Sequence, residues 1–300
     1  LRTIAAEHRR EPIDVLHAFW ATESGLLTAL AGRLLGIRSV VSLAGGELVD
    51  LPDIGYGDQR LAWERLKVRT SLRLASAVTG GSRYLLTMAQ RHVARHKLRW
   101  APLGVPTAMF SPAARPEPLD AARIVHVGTL TPVKDQATLL RAFAAARARR
   151  PDLSLDIAGG GPLRVELSTL AAQLGVAASV CFRGDVDHAA LPEIYRAASV
   201  FALSSRHEAQ AMVAVEAAAC GLAVVGTNVG VVPELTARSH AVAKPGDVAA
   251  LAQSLLASLD DLPRAADCAR RKAETDFGLE VCAARFRDIY LDGREGEQQQ

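Results

Sequence analysis

Nowhere in these 300 residues is there an apolar run long enough to cross a bilayer, and the first residues read as a polar helix rather than a signal peptide. Aromatics are scarce, at 5% against 49% apolar residues overall, so any core must be filled by Ala, Leu and Val. That suits helices layered on parallel strands. Cysteine is limited to Cys181, Cys220, Cys268 and Cys282, too far apart for metal-ligand spacing. The spacing argues against a disulfide framework or zinc module and predicts reduced thiols in a cytoplasmic protein. Charge of one sign is missing too. With 35 basic and 32 acidic residues the net charge is +3, too little to argue for a nucleic-acid partner. No repeat of solenoid period is visible, and the length suffices for one large or two ordinary cores.

What is there is alternation. After a short first helix, strands are expected at residues 13–17, 39–43 and 77–80, with helices at 24–35, 61–74 and 84–95. Five prolines between Pro102 and Pro118 cannot sustain a regular element and mark a linker. Strands are then expected at 123–127, 153–157, 179–182, 200–203 and 223–225. Helices are expected at 135–149, 163–174, 191–197, 212–219 and 248–259. Two more helices, 263–275 and 279–290, precede a polar tail, 293–300, expected to be disordered. Strands alternating with helices predict parallel, doubly wound sheets with right-handed crossovers. The expected organisation is a first Rossmann-like domain over 1–105, a linker over 106–120 and a second domain over 121–276. A helix at 277–292 would pack back on the first domain.

The densest chemistry follows the strand at 200–203. Glu208 and Glu216 stand eight positions apart where the carboxyl end of a strand meets the amino end of a helix. Ligands bind at such junctions of open parallel sheets, and the N–H groups of a helix start suit a phosphate. Two acids flanking a phosphate site fit a ligand with hydroxyls at both ends and phosphates between, a nucleotide-sugar. A second junction, Gly128-Thr129-Leu130-Thr131-Pro132-Val133-Lys134-Asp135, places Lys134 where a diphosphate would sit. The plain alternative is a solvated lysine in a first helical turn. Gly159-Gly160-Gly161-Pro162-Leu163 also joins strand to helix, but its spacing is not the dinucleotide fingerprint, and a tight turn with Pro at the first helical position explains it equally.

Three weaker features complete the inventory. His17 ends a strand, where a hydrogen-bonded structural histidine is the commoner outcome. Gly45-Gly46-Glu47 allows a tight loop or a simple turn. Arg65, Lys67, Arg69 and Arg73, with Arg91, Arg95, Lys97 and Arg99 nearby, form a basic face. Either it meets anionic lipid or an acidic acceptor, or it is an ordinary solvated surface.

Several motifs recur in a fixed order: Asp14-Val15-Leu16-His17-Ala18, Gly104-Val105, Gly128 to Lys134, the Gly159 triplet, Phe182-Arg183-Gly184, and Glu208-x7-Glu216 running on to Gly221. In that order and spacing, over residues 14–290, the chain resembles the retaining glycosyltransferases of family 4. The resemblance implies the α/β GT-B fold, two Rossmann-like domains with parallel sheets facing a cleft. Strand–helix units that such enzymes place before the Asp-x-x-His segment are missing here, so the expectation is an N-terminally truncated chain with an incomplete first domain and an exposed sheet edge.

The resemblance also implies roles. Glu208 would contact the hydroxyls of the donor sugar, Glu216 the ribose and Lys134 the diphosphate. The amides of Ala211, Met212 and Val213 would cap the diphosphate, with Gly128, Thr129 and Gly160 alongside and His17 as a further catalytic candidate. It implies hexose transfer from UDP- or GDP-hexose with retention, with neither a metal nor a further cofactor, to an unknown glycan, lipid or small-molecule acceptor. A fixed cation and aligned N–H donors would stabilise the leaving diphosphate. Four positions depart from the family pattern: Thr129 where Arg is usual, Ala209 and Ala211 where glycines are common, and Ala44 where a histidine often stands. Alternatives are a nucleotide-sugar 2-epimerase of the same fold and a non-catalytic sugar-nucleotide-binding protein.

Overall fold

Alternating strands and helices assemble two separate, wholly parallel sheets, one of four strands and one of six. The computed structural model describes residues 1–113, 122–236 and 242–292. The last part of the proline-marked segment, with Pro116 and Pro118, and the tail from Gly293 lie outside the described residues. Two compact units are present: Leu1–Leu103 with Glu208–Gln210 and Glu280–Gln300, and Gly104–His207 with Ala211–Leu279.

The first unit runs α1 (Arg2–Arg10), β1 (Val15–Phe19), α2 (Glu23–Leu35), β2 (Arg38–Leu43), α3 (Ala62–Leu74), β3 (Ala77–Gly80), α4 (Arg83–Ala89) and β4 (Leu98–Trp100). Its strands lie in sequence order, β1-β2-β3-β4. Period-two alternation gives the sheet two apolar faces. Val41, Leu43 and Val78 pack with Ala29, Val68, Leu72 and Leu85. Val40 and Ala77 turn the other way, towards Ile289 and Phe286 of a closing helix described below. The helix expected over 84–95 ends at Ala89, because the N–H groups of Arg91 and His92 turn to the i−3 carbonyls of Met88 and Ala89 and so leave the helical ladder. The residues beyond supply β4, which pairs with β3.

The second unit contains β5 (Arg123–Val127), α5 (Gln136–Arg147), β6 (Ser154–Ala158), α6 (Arg164–Gln173), β7 (Val180–Gly184), α7 (Leu191–Arg196), β8 (Val200–Leu203), α8 (Met212–Ala219), β9 (Ala223–Thr227), α9 (Val232–Leu235), β10 (Val242–Ala243), α10 (Val248–Asp260) and α11 (Leu262–Phe277). The closing helix α12 (Leu279–Leu291) belongs, from Glu280 on, to the first unit. The short α9 and β10 have no counterpart in the sequence expectation. The strand order is β10-β9-β8-β5-β6-β7. Chain growth runs from β5 outward through β6 and β7, then crosses back to place β8 on the other side of β5. The order therefore reverses between β5 and β8. The core beneath combines Ile124, Leu155, Ile157 and Val200 with Leu139, Leu140 and Phe143 of α5 and Leu251 and Leu255 of α10.

Among the described residues no helix is long and apolar enough to cross a membrane, and no group of His, Cys, Asp or Glu is placed to hold a metal ion. The four cysteines are all free thiols: Cys181 is exposed, while burial pushes Cys220 up to about 12.

Candidate functional site

The reversal between β5 and β8 is where an open parallel sheet leaves a crevice at its carboxyl edge. Both expected ligand segments leave the second sheet there. Val127 ends β5, and the loop Gly128–Asp135 follows. Leu203 ends β8, and Ser204 and Ser205 follow, both buried. The two loops are tied together. The Ser204 hydroxyl donates to the Lys134 carbonyl at 2.9 Å, and the Arg206 N–H donates to the Val133 carbonyl at 2.8 Å. Lys134 thus closes a short 3-10 turn fixed against the loop of the neighbouring strand.

Buried polar groups below set the height of the Gly128 loop. His126, fully buried on β5, donates from Nδ1 to the Ala202 carbonyl at 2.9 Å, which leaves Nε2 to accept from the Gln136 amide at 3.2 Å. The same amide donates to the Thr129 carbonyl at 2.9 Å. Sequence reading singled out neither His126 nor Gln136. A histidine in the middle of an apolar strand is the one signal that could have found them.

The glycine triplet is fixed by the loops around it. Gly160, named as a ligand contact, donates its N–H to Asp185 at 2.8 Å, and a side chain there would strike that carboxylate. The close approach is made by Gly159 and Gly161, at φ of 136° and 150°, against backbone. A Cβ on Gly159 would lie 2.1 Å from the Gly128 carbonyl oxygen. The triplet is there to seat one loop on another.

Helix α8 is preceded by Ala211 at its N-cap, which holds φ 72° and ψ 68° and offers no side-chain cap. The first N–H groups of a helix have no intrahelical acceptor, so Met212 and Val213 present donors at the positive end of the dipole. One turn on, Glu216 is buried, with both oxygens engaged by side chains. Tyr195 of α7 donates to Oε2 at 3.0 Å, and His188 Nε2 lies 3.1 Å from Oε1. Burial, then the charge of Glu216, pushes the Tyr195 phenol well above its ordinary value, so it remains a donor. Tyr195 and His188 went unnoticed in the sequence because they precede Glu216 by 21 and 28 residues.

The second unit therefore gathers Gly128, Thr129, Lys134, Ala211, Met212, Val213 and Glu216 at one end of its sheet. Two candidates count with the first unit. Glu208 counts with the first unit, where its charge, after burial, helps raise Tyr56 to about 12. His17 also belongs there, and its ring is fully occupied: Nδ1 lies 2.8 Å from the Tyr290 hydroxyl and Nε2 2.7 Å from the Ser42 hydroxyl. Ser42 bonds on to Thr79 at 2.5 Å. Burial lowers the pKa of His17, and Phe19 and Phe286 stack around it. Both nitrogens of His17 are thus held by side-chain hydroxyls within the first unit.

Comparison with known proteins agrees with this architecture. Residues 110–275, more than half of the chain, match the family described as glycosyl transferases group 1. The chain belongs to that family. A GDP-mannose-dependent alpha-(1-6)-phosphatidylinositol monomannoside mannosyltransferase of Mycolicibacterium smegmatis is 32% identical over 93% of this chain and 76% of its own length. A glycogen synthase of Mycobacterium tuberculosis is 31% identical over 65% of this chain and 49% of its own. The chain spans about half the length of several curated relatives it matches. Among solved structures, a sucrose-phosphate synthase from Thermosynechococcus elongatus superposes with a TM-score of 0.79 over 98% of this chain and 77% of that one, at 21% identity. Anabaena HepE, solved in complex with UDP-glucose, gives 0.76 over 97% and 81%, at 19% identity. At such identities the likeness shows the fold, and that fold is GT-B.

Proposed function

We propose that the protein transfers a hexose from a UDP- or GDP-linked donor to an acceptor hydroxyl with retention of configuration, working in the cytoplasm with its thiols reduced. The observation that carries this reading is the joining of the Lys134 loop to the Ser204–Arg206 loop at the β5/β8 reversal, with α8 and Glu216 immediately following. Lys134 and the first N–H groups of α8 receive the diphosphate, whose charge grows as the glycosyl–oxygen bond breaks. Glu216 binds the ribose hydroxyls, exchanging its own protein partners for ligand. Glu208 holds the sugar hydroxyls. The acceptor attacks the face the nucleotide leaves, so no protein nucleophile and no metal is needed. The GDP-mannose dependence of one relative and the UDP-glucose complex of one fold neighbour support a nucleotide-sugar donor.

The test is a thermal-shift panel of UDP, GDP, ADP and their hexose derivatives. A ligand at 100 times its dissociation constant stabilises by about 2.7 kcal/mol when only the folded state binds. One nucleotide should shift the transition selectively. Glu216→Ala should weaken it roughly 10- to 100-fold, through loss of charge-assisted hydrogen bonds worth about 1.5–3 kcal/mol. No shift in a folded chain, or unchanged affinity in the variant, overturns the reading.

A further inference from the structure

The cations around α3 divide into those the fold uses and those it leaves outside. Lys67 sits between Glu23 and Glu64, 2.7 Å from the latter. Lys97 donates to the carbonyls of Arg73 and Ala75 at 2.9 Å each, and Arg99 pairs with Asp292 at 2.7 Å. These three are structural. Arg65, Arg69 and Arg73 repeat every fourth residue along α3, so they form one stripe, and all are exposed. With Arg91 and His92 they line a groove of about 650 Å³ within the first unit. Among the described residues none of these four arginines pairs with a carboxylate; Arg65 donates to the Gln59 carbonyl at 2.7 Å. The mutual repulsion is uncompensated, and His92 registers it: burial first, then the charges of Arg69 and Arg91, lowers its pKa.

The same surface carries large apolar side chains. Leu61, Trp63 and Leu66 are 61%, 66% and 56% exposed, against the buried Val68 and Leu72 on the opposite face of α3. On a helical projection Leu66 lies beside the arginine stripe and Trp63 beyond it on the same side, with the Lys67 ammonium 5.7 Å from its ring. A hydrated soluble polyanion would pair with the arginines and leave these side chains in water. An anionic bilayer satisfies both, since arginines reach phosphates while indole and leucine enter the headgroup–acyl boundary. We infer that this face of α3 docks on an anionic lipid bilayer, with lipid phosphates in the groove and Trp63, Leu66 and Leu61 in the interface. The assignment stands apart from the nucleotide-sugar reading, because every residue it uses belongs to the first unit, whereas the Lys134 and Glu216 loops belong to the second.

The experiment is co-sedimentation of the whole chain with phosphatidylcholine vesicles, with and without about one-third phosphatidylglycerol, at about 0.1 M salt. The chain should sediment with the anionic vesicles only. The double variant Arg69→Glu, Arg73→Glu should lose about tenfold or more of that binding. Trp63→Ser, which leaves the charge intact, should lose several-fold. Arg141→Glu, an exposed arginine of α5, should bind as the parent does. Circular dichroism confirms that each variant is folded. Equal binding to neutral vesicles, or full binding by a folded double variant, overturns the proposal. So does capture of inositol hexakisphosphate or a short RNA duplex by the groove without vesicle binding, since the occupant would then be a soluble polyanion.

Discussion

Glu47 and Glu216 are both buried acids with both carboxylate oxygens engaged, one in each unit, and they differ in what engages them. Glu47 accepts from backbone, the Ala44 N–H at 3.0 Å and the Gly45 N–H at 2.7 Å, and so closes the loop after β2 on itself. Glu216 accepts from a phenol and faces an imidazole, both on rotatable side chains. A carboxylate held by backbone can leave only by unmaking its loop. One held by side chains can exchange partners at small cost when a ligand arrives, because the displaced tyrosine and histidine can turn towards water or ligand. Burial and hydrogen bonding alone do not separate a structural acid from a ligand-binding one. The mobility of the partners does.

The comparison can be broken most forcefully at Glu47. Glu47→Ala strands two backbone donors, so stability should fall by about 2–4 kcal/mol by urea unfolding, while nucleotide affinity stays within about twofold. An equal fall in affinity would erase the distinction. Tyr195→Phe should instead move affinity: the bond it removes exists only in the free chain, so stability should fall by about 1 kcal/mol and nucleotide affinity should rise about fivefold by calorimetry. Next comes pH. Burial raises the pKa of Glu47 from its ordinary 4.5, outweighing the backbone hydrogen bonds that lower it. The folded chain therefore holds this proton more tightly than the unfolded chain does. The resulting stability is full below 4.5 and is lost as pH rises through the folded value. The stability difference between the parent and Glu47→Gln should thus narrow as pH rises from 4 towards 7, in a series of urea titrations. The smallest effect belongs to Ala211. Its left-handed backbone costs a non-glycine residue about 1–2 kcal/mol, and glycine's entropy returns about half of that. Ala211→Gly should raise stability by about 0.5 kcal/mol, seen as a small increase in Tm.

Much of this fold was legible because its elements carry their own pattern. The helix expected over 212–219 is found at those residues, and the strands over 77–80, 123–127 and 200–203 agree as well. What escaped was made by pairing rather than pattern. β4 is three residues with Arg99 at its centre, and β10 is two. Each is a strand only because a neighbour's edge is there to receive it. The site divides in the same way. Lys134 and Glu216 were visible, since residues at strand-to-helix junctions can be located from local sequence. The Tyr195 and His188 partners, and the His126–Gln136 support beneath the loop, come from tertiary contact. The Tyr290 partner of His17 was equally hidden, because it lies 273 residues away.

The reversal of strand order has a kinetic consequence. β5 can pair with β6 as soon as the chain between them has folded, but its other edge waits for β8. His126 and Ala202, which meet across that second edge, are 76 residues apart. Closing so long a loop is slow relative to local pairing. A half-built sheet of β5, β6 and β7 would already possess Lys134 but not the loop that fixes it. Nucleotide binding during refolding therefore times the arrival of β8, and should lag behind the gain of helical signal.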